Sequence, residues 1–160
     1  MKSNFRILVS RASCRGIACL MLLLPMPALA ALGGNISSVE DDVARMKGSL
    51  KTTPAEAYTV HEIKVPGNTV VKEYVSPAGK VFAITWRGQL IPDMHQLLGT
   101  YFDQYAQAAK TQRESHVGRR PLNIQEPRLV FQNSGHMRSY SGRAFAPDMV
   151  PRGISPDRLE

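Results

Sequence analysis

The spacing of hydrophobic positions changes several times along the chain, and each change marks an element. Val39, Val43, Met46 and Leu50 recur at helical spacing, with Glu40, Asp41 and Asp42 near one end and Lys47 and Lys51 near the other, the order a helix dipole favours. Ser37 stands three residues before Glu40 in capping-box spacing, so the pattern predicts a first helix that starts there and stops before Pro54. Ala31-Leu32-Gly33-Gly34-Asn35 ahead of it has no period and reads as a mobile leader. From residue 58 the period shortens to two. Residues 58–65, with Thr59, His61, Ile63 and Val65 on one face, then 69–75 and 81–86, read as three strands. They are separated by the turn signals Pro66-Gly67-Asn68 and Ser76-Pro77-Ala78-Gly79. Connections this short give antiparallel neighbours, and period two puts Phe82, Ile84 and Trp86 on one expected core face.

Asp93 follows Pro92, precedes Gln96 by three and opens a second helix in capping-box register. Met94, Leu97, Leu98, Tyr101, Phe102, Tyr105 and Ala109 then form one wide apolar face that is expected to lie across the sheet as core. Beyond Lys110 the chain turns polar and basic. Residues 122–125 read as a short strand, 128–132 and 136–145 as a hairpin turning at Asn133-Ser134-Gly135, and the stretch with Pro147, Pro151 and Pro156 as an extended, lightly held tail. Helix, three strands, helix, two or three strands is an α+β order: an antiparallel strand meander covered by an amphipathic helix. The order also suggests a helix-plus-strands pseudo-repeat, although no residue-level repeat accompanies it.

Charge divides the chain differently. Lys2, Arg6, Arg11 and Arg15 precede the apolar run from Ile17 to Leu24, which is too short to span a bilayer, and Ala28-Leu29-Ala30 follows. This is the pattern of a secretory signal cleaved between Ala30 and Ala31. The organisation that follows is a signal over 1–30, a leader and first helix over 31–53, an α+β core over 54–146 and a proline-rich tail over 147–160. Cys14 and Cys19 would leave with the signal, and the formal charge would fall from +7 to +3. The mature chain would then have no thiol for a disulfide, a cysteine-ligated metal or a cysteine nucleophile, and no transmembrane segment. Its expected location is exported, periplasmic or secreted.

The search for chemistry finds no nucleophile elbow, phosphate loop, HExxH or dinucleotide fingerprint, so no catalytic residue, metal ligand or cofactor is assigned. His61, His95, His116 and His136 have no metal-ligand spacing. A small hydrolase would need His61, Glu62 and His136 to converge, and a carboxylate pair would need Glu62 and Glu73 to align; pairing with Lys64 and Lys72 is the simpler account of those acids. From Lys110 to Arg143 seven basic residues stand against Glu114 and Glu126. Arg113, Arg119, Arg120, Arg128, Arg138 and Arg143 are the candidate binding residues, for an anionic envelope component or another exported protein rather than nucleic acid.

Ala31-Leu32-Gly33-Gly34, Tyr58-Thr59-Val60-His61-Glu62, Lys72-Glu73-Tyr74-Val75-Ser76-Pro77-Ala78-Gly79, Val81-Phe82-Ala83, Leu97-Leu98-Gly99 with Tyr101-Phe102, and Gly135-His136-Met137-Arg138 together resemble a family of small exported proteobacterial proteins catalogued only as a domain of unknown function. The resemblance covers the mature chain and implies export in a Gram-negative bacterium, with no catalytic residue to carry over. More loosely, helix followed by meander is similar to inhibitor-like and propeptide-like modules of bacterial envelopes. The favoured expectation is therefore a non-enzymatic exported binding module, with the small hydrolase and the protease-inhibitor-like module as alternatives.

Overall fold

The computed structural model describes residues 32–115 and 121–159. The first helix, α1 (Ser37–Met46), starts at Ser37, buries Val39 and half-buries Val43 and Met46, as the sequence predicts, but its cap and its C-terminal end differ from expectation. Ile36 occupies the cap position without a side-chain bond, and it is the Ser38 hydroxyl that donates, to the Asn35 carbonyl, so the Ser37–Glu40 capping box does not form. At the other end Lys47 adopts a left-handed conformation (φ 51°), and the amides of Lys47 and Gly48 donate back to Ala44 and Val43. Gly48 is required there because a Cβ would stand 2.7 Å from Ile63 and 2.9 Å from the Lys64 carbonyl. The helix therefore stops well short of Pro54, and the residues that follow form a fourth strand of the meander.

That strand, β1 (Ser49–Pro54), pairs antiparallel with β2 (Thr59–Val65), which pairs with β3 (Thr69–Val75), which pairs with β4 (Val81–Gly88). The turns are those predicted: Gly67 and Asn68 both hold positive φ, and the Gly79 amide donates to the Ser76 carbonyl at 2.8 Å. The second helical stretch comprises α2 (Met94–Leu98), one 3-10 turn (Gly99–Tyr101) and α3 (Phe102–Ser115), and its predicted apolar face is buried or half-buried throughout. The chain returns as β5 (Asn123–Glu126), β6 (Leu129–His136) and β7 (Ser139–Phe145). All seven strands form one antiparallel sheet in the order β1-β2-β3-β4-β7-β6-β5. The two strand groups meet along their last members, with Ala83 opposite Phe145 and Trp86 opposite Gly142.

The last hairpin turns at Met137 and Arg138, where Arg138 holds φ 62°, and not at Asn133-Ser134-Gly135, which lies within β6. Gly135 serves close pairing instead: a Cβ there would stand 2.2 Å from the Ser139 carbonyl oxygen.

The helices cover one sheet face and enclose the larger core, including Leu32, Val39, Ile63, Val71, Ile84, Trp86, Leu97, Leu98, Leu129 and Phe131. A β-bulge at Tyr74/Val75 breaks the predicted face of β4. Ile84 and Trp86 point to the helices, whereas Phe82 joins Tyr74, Ala83 and Leu159 in a second cluster on the far side. Both ends predicted to be loose are docked. Leu32 is 1% exposed, its amide donates to the Leu97 carbonyl at 2.9 Å, and Gly33 and Gly34 exchange hydrogen bonds with Val81. The tail makes two 3-10 turns, Pro147–Met149 and Pro156–Arg158, and half-buries Met149, Val150 and Ile154 against the second cluster.

Gly142 marks the tightest contact at the junction of the two strand groups, since a Cβ there would stand 2.3 Å from the Trp86 ring and 2.6 Å from the Gln132 carbonyl. Gly142→Ala is expected to cost about 2 kcal/mol, as overpacking commonly does. Urea unfolding followed by Trp86 fluorescence measures this, and a change of only a few tenths would show that the junction tolerates the methyl group.

Candidate functional site

Register sorts the far face of the sheet into three rows that run across the strands. Val60, Tyr74, Ala83, Phe145 and Val130 make an apolar row, and the tail packs on it. The next row is polar throughout: Glu62, Lys72, Thr85, Arg143, Gln132 and Asn123, one from each of six adjacent strands. Beyond it lie Lys64, Val70, Arg87, Ser141 and Ser134. The polar row, together with Val70, Arg87, Ser141 and Ser134 of the next, lines an open groove of about 820 Å³, with Leu159 of the tail at its border. At about 4.8 Å per strand the six-residue row is roughly 24 Å long.

Three cations surround one point in this groove. Thr85 has Lys72 and Arg143 as its neighbours on the flanking strands, and Arg87 lies two residues further along β4 on the same face. Arg143 is already engaged: Nε donates to Gln132 Oε1 at 2.6 Å, one terminal nitrogen pairs with the Asp157 carboxylate at 2.9 Å, and the other donates to the Asp157 carbonyl at 2.7 Å. Glu62 stands opposite Lys72 and 3.9 Å from Lys64. The groove can hold an extended polar chain by hydrogen bonds and attract negative groups to its middle.

Of the candidate arginines among the described residues, only Arg143 lines this groove. Arg113 is exposed on α3, Arg128 lies 5.8 Å from the Tyr101 ring centroid, and Arg138 occupies the exposed β6–β7 turn. Arg119, Arg120 and His116 lie outside the described residues, as do Ala28, Ala30 and Ala31. His61, Glu62 and His136 do not converge. His61 is buried beneath the helices, Glu62 points to the groove, and His136 is exposed on β6, with β3, β4 and β7 lying between β2 and β6. Glu62 and Glu73 face opposite sides of the sheet, so they form no carboxylate pair. Among the described residues no three His, Cys, Asp or Glu side chains have metal-holding geometry, and no helix is long and apolar enough to cross a membrane.

The carboxyl that does meet Glu73 is Asp42. Asp42 lies on the apolar stripe of α1 and Glu73 on the inward face of β3 between Val71 and Val75, and both are fully buried. Gln96, freed from the expected capping box because the Asp93 carboxylate alone caps α2 by accepting from the His95 amide, donates from Nε2 to Asp42. Among the described residues Glu73 finds no amide or hydroxyl donor, and a hydrogen bond between two carboxyls requires a proton on one of them. Burial, reinforced by the Asp42 charge, pushes Glu73 up to about 9, and burial raises Asp42 to about 6. His61, opposite Glu73 in the register, is held below 6.5 by burial, with Nδ1 bonded to the Thr52 hydroxyl at 3.1 Å. This buried cluster fastens α1 and α2 to the sheet and opens to no groove among those described.

A family model described as "Protein of unknown function (DUF2844)" matches residues 28–159. No curated protein and no solved structure matches the chain.

The acid pair predicts how stability depends on pH. Both carboxyls bind their proton more tightly in the folded chain, so stability falls as pH rises, from 3.8 to about 6 for Asp42 and from 4.5 to about 9 for Glu73. His61 has the opposite sign below 6.5, which leaves the interval above pH 7 to Glu73. Urea unfolding at pH 7 and pH 9 is expected to show the natural protein losing stability and Glu73→Gln losing almost none. Parallel losses in the two proteins would assign the slope to other groups.

Proposed function

The chain belongs to the DUF2844 family of proteins of unknown function, and we propose that it is a non-enzymatic exported binding module that holds an extended, net-anionic chain in the groove across its sheet. The observation that carries the reading is the open polar row with Lys72, Arg87 and Arg143 around Thr85. A sheet face left polar along six strands, beside a row that the tail covers, matches a surface kept for a ligand. Residues 1–30 support export, with processing after Ala30, by their charge and apolar pattern. In that setting the available anions are lipid head groups, lipopolysaccharide, peptidoglycan carboxylates and acidic proteins. The protruding β6–β7 turn, with Met137 89% exposed between His136 and Arg138, favours a second reading as an inhibitor-like loop, which a protease-inhibition assay addresses.

Two measurements test these readings. Mass spectrometry of the protein expressed in a Gram-negative host is expected to find an N-terminus at Ala31, and an intact Met1 on the exported protein would refute the processing. Co-sedimentation with purified sacculi and with outer-membrane vesicles is expected to pellet the protein at low salt and release it at high salt. Lys72→Ala combined with Arg87→Ala is expected to weaken binding about ten-fold, the scale of losing charge-assisted contacts. Equal pelleting of this variant would remove the groove from the interaction. An Arg113→Ala, Arg128→Ala, Arg138→Ala protein tests the outer arginines in the same assay.

A further inference from the structure

Arg143 is the groove cation that the tail itself holds. Its side chain is 25% exposed and all three guanidinium nitrogens are used, two of them by one residue of the tail. Asp157 presents both its carboxylate and its backbone carbonyl to the same fork, and its own side chain is 71% exposed. An acidic residue in an extended peptide offers this same pair of acceptors. The arginine fork thus already holds, within the chain, the kind of group a ligand in the neighbouring groove would bring.

The rest of the tail fits an occupant that can be displaced. Leu159 is 8% exposed against Tyr74, Phe82 and Ala83 and borders the groove. Between Val150 and Leu159 the tail's backbone holds itself mainly by local turns, with Ile154 donating to Pro151, Arg158 to Ser155 and Leu159 to Pro156. No strand pairing ties these residues to the sheet. They therefore stay in place through a few apolar contacts and the Arg143–Asp157 clamp, and local release costs far less than unfolding.

We infer, taking the groove reading as premise, that the groove binds an acidic peptide segment of a partner protein and that Asp157 is its internal competitor: the incoming carboxylate takes Arg143 and releases the strap of residues 150–159. The strap sets a threshold. A weakly acidic segment does not displace Asp157, whereas one with several carboxylates also engages Lys72 and Arg87 and does.

The test uses the full chain with hexa-aspartate as probe and hexa-asparagine and hexagalacturonate as comparisons. Calorimetry is expected to give a Kd roughly five-fold lower for Asp157→Asn than for the natural protein, because the competing ion pair is gone. Arg143→Gln is expected to lose that gain, and Arg143→Lys, which keeps the charge without the fork, to recover part of it. Hydrogen exchange of the Arg158 and Leu159 amides is expected to accelerate when hexa-aspartate saturates the natural protein. Equal affinity of Asp157→Asn and the natural protein, with tail protection unchanged on binding, would overturn the strap while leaving the groove reading intact. Binding of hexagalacturonate but not hexa-aspartate would overturn the peptide assignment. Failure of every probe, together with salt-independent behaviour in the sedimentation assay, would remove the groove reading itself.

Discussion

Antiparallel pairing of β4 with β7 is the contact on which the rest of the architecture depends. Along the chain the strands fall into two groups, β1–β4 after α1 and β5–β7 after α3. The pairing merges them into one sheet and, through its register, lines up Glu62, Lys72 and Thr85 with Arg143, Gln132 and Asn123. It also brings Trp86 against the bare backbone of Gly142, where no side chain fits. The groove is therefore a property of the joined sheet, contributed half by each group.

The same sheet has two faces and helix enough for one. The helices take the face where Val71, Ile84 and Phe131 point, and among the described residues the second face receives the tail, which covers the apolar row and leaves the polar row lining an open groove. The bulge at Tyr74/Val75 is part of this division, because it turns Phe82 away from the helices and into the cluster that Leu159 closes. On the helix side, the Asp42–Glu73 pair carries a cost that packing offsets: buried carboxyls with few donors are unfavourable unless one keeps its proton.

Much of this could be read from the chain. The aromatic stripe of residues 94–109, the strand positions of β2–β4 and the turns at Gly67-Asn68 and Gly79 follow from local period and turn chemistry. What escaped reading depends on distant partners. Ser49–Pro54 carries no apolar alternation, being exposed at every position, so only pairing with β2 makes it a strand. Leu32 looks like leader until the Leu97 carbonyl and Val81 are beside it. The groove was legible in composition, since Lys72, Thr85 and Arg143 lie in predicted strand runs and Arg87 directly follows one, but not in place. Counting basic residues along the sequence selected 110–143, whereas the sheet groups Arg143 with residues some sixty positions earlier. The acid pair left a fainter signal: Asp42 interrupts the apolar stripe of α1, and Glu73 sits at an inward position among valines.

The joining of β4 and β7 also has a consequence for the order of events in folding. Hairpins β2–β3 and β3–β4 close over a few residues and can form early, whereas Ala83 and Phe145 must meet across roughly sixty residues of intervening chain. Until they do, β4 is a free edge with Ile84 and Trp86 beside a row of unpaired amides and carbonyls, the kind of surface that recruits strands from other molecules. The α2–α3 stretch, packed on the meander, links β4 to the second strand group, and the pairing with β7 removes that edge from reach of other chains.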